Sequence, residues 1–186
     1  MALNMLLKLI IRRTEYYNVL NLADTYLEIG KETPFFWLYR GIAYSETGMF
    51  RKALSSLHKS LKLKDNKPII YNKSDLTWKI YKYLGELFFK IRRFNYAEKF
   101  LLLANQSLSE RKSPEVFFLL GRLNFYKQEY NKSFTFFSQM FNQEYIPLRL
   151  LREAKSVFLN LLLFNTFEQD ATDILAKEYF DKPEEI

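Results

Sequence analysis

Three glycines set the frame of this chain. Gly41, Gly85 and Gly121 carry matching neighbours at fixed offsets. An aromatic stands four residues before each (Trp37, Tyr81, Phe117) and another nine after (Phe50, Phe94, Tyr130). Twelve after comes a small residue (Ala53, Ala97, Ser133), and sixteen after a large apolar one (Leu57, Leu101, Phe137). Agreement at these offsets in three places marks an internal repeat. A repeat constrains a fold strongly, because every copy must be the same supersecondary unit and must bury its apolar face against its neighbours.

Gly85 follows Gly41 by 44 residues, and Gly121 follows Gly85 by 36. The first gap is longer by roughly ten residues than a period of about 34. The excess falls at 65–74, DNKPIIYNKS, whose Asp, Asn, Pro and Ser mark a loop. Only 5 Gly and 5 Pro punctuate 186 residues, so long helices fit more easily than many short strands. Each unit therefore reads as a pair of helices. The glycine sits where the two cross closely, and the aromatics fill the space beside it.

These residues resemble the tetratricopeptide repeat, whose signature is W-x2-L-G-x2-Y followed by A-x3-F and a closing Pro. The first copy reads Trp37-x2-Arg40-Gly41-x2-Tyr44 with Ala53-x3-Leu57. The second reads Tyr81-x2-Leu84-Gly85-x2-Phe88 with Ala97-x3-Leu101, and the third Phe117-x2-Leu120-Gly121-x2-Asn124 with Ser133-x3-Phe137. Arg40 stands where the pattern has Leu, and the closing Pro is missing from all three. The resemblance implies an all-α fold, a right-handed solenoid of about five antiparallel helix pairs.

The clear repeats cover about 34–64, 78–109 and 114–143 of a single repeat domain over 1–180. Degenerate capping pairs are expected at 2–30 and 147–180. Counting 34 back from Gly41 gives Leu7, then Val19 and Ala23 at the small and apolar positions. Residues 14–29 read as a second helix, with Thr14 as N-cap and Gly30 closing it. Counting 33 on from Gly121 gives Ala154, in the apolar helix LRLLREAKSVFLNLLLF that follows Pro147. Thr166 opens a Thr-x-x-Gln capping box and a last helix ending near Phe180. The acidic tail 181–186 is expected to be loose.

The residues point away from catalysis. His58 is the only histidine, set mid-helix in KALSSLHKSLK on an expected outer face. The chain has no Cys, so neither a thiolate metal site nor a disulfide is open to it. No phosphate-binding glycine loop, dinucleotide fingerprint or nucleophile elbow occurs. The pair Glu184–Glu185 lies in the tail, where no pocket raises a pKa. No enzyme activity, cofactor or metal is expected.

The net charge of +7 favours acidic partners, although the charges are spread along the chain as on solvated helix faces. The opening MALNMLLKLIIRR has its cations within and after the apolar run, unlike a secretory signal, and is far short of a bilayer span. It reads as a packed amphipathic helix, with a membrane-surface helix as the lesser alternative. A cytoplasmic location is expected, peripheral to a membrane-bound assembly where the partner belongs to one.

The resemblance also implies a working surface. In this family the first helix of each pair lines a concave groove. Its inner positions fall six and three residues before the glycine and one, four and five after. Here they are Phe35, Leu38, Ile42, Ser45 and Glu46; then Lys79, Lys82, Glu86, Phe89 and Lys90; then Glu115, Phe118, Arg122, Phe125 and Tyr126. Aromatic anchors with a basic middle suit a peptide or helix carrying apolar and acidic side chains. The carboxylate clamp of some relatives is absent, since Leu38, Ile42, Tyr83, Glu115 and Leu119 stand at its positions.

The expected function is thus non-enzymatic: an adaptor or scaffold that binds a partner polypeptide. Alternatives are a secretion-type chaperone for an apolar client segment, or a structural component of a bacterial membrane machine such as the flagellar motor. RNA binding is disfavoured. Glu residues interleave the bases around Arg92, Arg93 and Lys99, and no polar base-reading pair recurs.

Overall fold

Helix starts follow the local chemistry. Thr33 is extended (φ −126°, ψ 157°) and its Oγ1 accepts the Phe36 N–H at 3.1 Å, while Pro34 fills the first helical position, where no N–H is needed. Ser113 and Pro114 repeat that arrangement without the side-chain bond. In the computed structural model, residues 2–28, 32–66, 73–108 and 113–164 are described. Among them the chain is all helical, with no strand, and it divides into two compact units, 1–110 and 111–186.

The first unit holds α1 (Ala2–Arg12), α2 (Tyr16–Glu28), α3 (Pro34–Glu46), α4 (Phe50–Asn66), α5 (Lys73–Lys90) and α6 (Phe94–Gln106). Consecutive helices pair as α1 with α2, α3 with α4 and α5 with α6, and each pair packs on the next through α2–α3 and α4–α5. The first helices also touch one another, α1 on α3 and α3 on α5. The second unit holds α7 (Pro114–Tyr126), α8 (Tyr130–Phe141) and α9 (Leu148–Phe164), with α9 packed on both others. This packing of consecutive pairs is that of a helical repeat.

The glycines mark the crossings. A Cβ on Gly41 would lie 2.8 Å from Leu57, on Gly85 2.6 Å from Leu101, and on Gly121 2.9 Å from Phe137. In each copy the partner is the residue sixteen positions on. The small residue at twelve is fully buried beside it, and Ser133 Oγ donates to the Gly121 carbonyl at 2.8 Å. The aromatic at nine begins the second helix: Phe50, Phe94 and Tyr130 open α4, α6 and α8.

The flanking pair α1–α2 keeps the same register. Leu7, Val19 and Ala23 are buried, and Tyr16 opens α2 nine residues after Leu7. The turn inside each pair is identical in four copies. Its left-handed residue comes seven after the reference position: Thr14 (φ 60°), Gly48 (φ 78°), Arg92 (φ 59°) and Gln128 (φ 63°). The next N–H reaches back five residues, from Glu15 to Ile10 O (3.3 Å), Met49 to Tyr44 O (2.8 Å), Arg93 to Phe88 O (2.8 Å) and Glu129 to Asn124 O (2.9 Å). That is the Schellman closure, which satisfies carbonyls the helix end leaves orphaned.

Several sequence expectations are corrected here. Thr14 does not cap α2. It takes the left-handed turn position, its Oγ1 bonds the Arg13 carbonyl (2.6 Å), and Glu15 stands before the helix, accepting the Val19 N–H. Asp65 and Asn66 belong to α4, and Lys73 and Ser74 belong to α5, so these four residues of the loop expected at 65–74 are helical. Residues 67–72, Gly30, the Thr166 capping box, the last helix and the tail lie outside the described residues.

The departure at Arg40 has a physical account. Its guanidinium lies 5.2 Å from the ring centroids of both Trp37 and Tyr44, and Nη2 reaches Asp24 Oδ1 on α2 at 2.6 Å. A cation thus replaces an aliphatic side chain between two pairs, held by two aromatic faces and one carboxylate.

Candidate functional site

The expected inner positions divide into a closed and an open set. Helix α3 touches both α1 and α5, and its Leu38 and Ile42 are buried in the core and are not groove surface. Lys82 on α5 is likewise only 8% exposed. Its ammonium lies 4.4 Å from the centroid of Tyr83 and 5.9 Å from that of Trp78, and Lys79 also approaches Trp78, at 5.5 Å. Aromatic faces stabilise cations that water no longer reaches. Phe35, Lys79, Glu86 and Phe89 are half-buried. Phe89 packs on Phe94 at 5.8 Å.

The basic middle is accordingly less available than the sequence suggests. Lys90 Nζ contacts Glu46 Oε1 at 2.6 Å. Both residues sit five after their glycines, so the pair joins two first helices at the same repeat position. Lysine charge at this place is matched within the chain, alongside the cations held on Trp78 and Tyr83.

In the second unit the inner positions come together. Phe118, Arg122, Phe125 and Tyr126 of α7 face Glu153, Ser156, Val157 and Asn160 of α9 across a cleft of about 370 Å³. Phe118, expected to be exposed, is buried and forms the floor, against Phe137 behind it. The Arg122 guanidinium lies 5.3 Å over the Phe118 ring. Phe125 packs edge-on to Tyr126 (6.3 Å, 85°) and at 5.9 Å from Tyr130. Tyr126 stands on the rim, 58% exposed. Glu115, in the first turn of α7, is not part of the cleft.

Chemically the cleft offers an aromatic floor with a cation, a carboxylate, a hydroxyl and an amide around it. Such a set of groups has the chemistry to seat an apolar side chain and to orient polar groups beside it. The contribution of α9 was missing from the sequence reading. Counting 33 from Gly121 found Ala154, which is buried, but assigned no groove face to that helix. Among the described residues no three His, Cys, Asp or Glu side chains cluster, and His58 is exposed on α4.

No protein-family model matches the chain, and no curated protein matches it.

Proposed function

We propose that this chain is a tetratricopeptide-type repeat protein that works, without catalysis, by binding a partner polypeptide. The helix-pair packing, the glycine crossings and the turn repeated at four equivalent positions support the resemblance. The right-handed winding of successive pairs is part of the same reading. The observation that carries the functional part is the cleft between α7 and α9, where four of the five inner positions of the third copy converge.

The occupant that fits is a helix or extended segment presenting an apolar side chain to Phe118, Phe125 and Tyr126, with polar neighbours of either sign beside Arg122 and Glu153. Truncating anchors of this kind costs upwards of ~2 kcal/mol of binding at a hot spot. The test is affinity capture from the source cell with the wild type and with Arg122→Glu/Tyr126→Ala, both outside the buried core. Capture of one protein by the wild type and its loss in the variant supports the reading. Equal capture by both sinks it.

A further inference from the structure

The first helix presents an outer face that the described fold leaves uncovered. Leu7 anchors α1 to the core with Ile10 and Ile11 packed beside it, while Met5, Leu6 and Leu9 remain 64%, 44% and 54% exposed. On a helix of about 3.6 residues per turn, Met5, Lys8, Leu9 and Arg12 form one stripe, with Leu6 and Arg13 flanking it. Lys8, Arg12 and Arg13 are all exposed. The first acidic residue of the chain is Glu15, beyond the helix. Tyr17, four residues past Arg13, is 68% exposed.

We infer that α1 is a membrane-surface element that lays this face on an anionic lipid bilayer. Long aliphatic side chains enter the headgroup boundary, and the Lys and Arg stems snorkel so that their charges meet lipid phosphates. An exposed Tyr suits the same interface. The charge pattern selects this occupant. A second copy of the chain laid on the same face would bring Lys8, Arg12 and Arg13 of both copies together. A zwitterionic surface would leave the three cations without net attraction. None of the described helices is long and apolar enough to cross a membrane, so α1 lies along the surface.

The test is co-sedimentation of the full chain with vesicles of phosphatidylcholine alone and with about a third phosphatidylglycerol. Four proteins are compared: wild type, Lys8→Glu/Arg12→Glu, Met5→Ser/Leu9→Ser, and a control, Lys62→Glu/Lys99→Glu, with the same net charge change at exposed sites elsewhere. Circular dichroism melts confirm that each is folded. The wild type should bind the anionic vesicles only. Each near-surface cation is worth about fivefold in binding, so the α1 charge variant should lose more than about 20-fold and the control less than about threefold. The serine variant should lose about tenfold or more at unchanged charge. Failure of the wild type to bind anionic vesicles would overturn the inference. A loss in the control equal to that in the α1 charge variant, or undiminished binding by the serine variant, would overturn it as well.

Discussion

A Cβ placed on Gly85 would sit 2.6 Å from Leu101 Cγ and 3.2 Å from the Ala97 carbonyl oxygen, which fixes how closely α5 and α6 cross. Gly85→Ala should therefore lower stability by up to about 2 kcal/mol, the overpacking cost of roughly 1–3 kcal/mol being offset by a helix-propensity gain of about 1 kcal/mol. Leu101→Ala alone should cost ~2–5 kcal/mol. In the double variant the two losses should fall short of additive by at least about 0.5 kcal/mol, since the methyl then occupies space the leucine left. Urea unfolding of the four proteins checks this. Strict additivity would mean that the contact does not set the crossing.

Gly48 and Gly41 are constrained for different reasons. A Cβ on Gly48 would meet nothing within 4 Å, but its φ is 78°. Gly48→Ala should cost about 1 kcal/mol through backbone strain alone. The equivalent Arg92 and Gln128 already bear that strain, at φ 59° and 63°. Arg92→Gly and Gln128→Gly should each raise stability by a few tenths to about 1 kcal/mol, read as a higher urea midpoint at unchanged slope.

Asn124 holds the third-copy position that Tyr44 and Phe88 fill in the first two. It is fully buried, its Nδ2 donates to Leu120 O at 2.7 Å, and its Oδ1 has no hydrogen-bond partner. A buried unsatisfied acceptor costs ~1–3 kcal/mol, so Asn124→Leu, which keeps the branched shape but adds volume, should stabilise by about 1 kcal/mol or less. Thermal melting should shift upward, and a downward shift would show that the amide is structurally needed.

Glu129 follows the left-handed residue of the α7–α8 turn. Hydrogen bonds from Lys127 and then Lys132 hold its pKa below the ordinary 4.5, outweighing desolvation. A carboxylate with a depressed folded pKa contributes stability that is present above its unfolded pKa and lost as pH falls through the folded one. Stability should thus decline slightly on acidification below about pH 4.5, and less so in Glu129→Gln. Identical acid profiles for the two proteins would contradict this.

The crossings were legible in the sequence because Gly41, Gly85 and Gly121 each have a chemistry only close packing requires, and their partners sit at a constant offset. The N-terminal pair was legible by counting, through Leu7, Val19 and Ala23, although Leu7 replaces the glycine. The repeated turn was not, because Gly48 is the only glycine among four left-handed residues and Thr14, Arg92 and Gln128 carry no turn signature. The groove was half legible. A residue's place on a helix face follows from spacing, but whether a neighbouring helix covers it does not. Leu38, Ile42, Lys82 and Phe118 occupy inner positions and are nonetheless buried, and α9 completes the cleft through residues that stand at none of the inner offsets when counted from Ala154.

The most direct measurement of the binding account is site-specific photo-crosslinking in the source cell, with the photoreactive residue at Tyr126 on the cleft rim or at Tyr96, 56% exposed on α6. A discrete protein adduct from Tyr126 that is absent from Tyr96 and disappears with Arg122→Glu is the predicted result. No adduct at Tyr126, or the same adduct from both positions, would contradict a binding surface in the α7–α9 cleft.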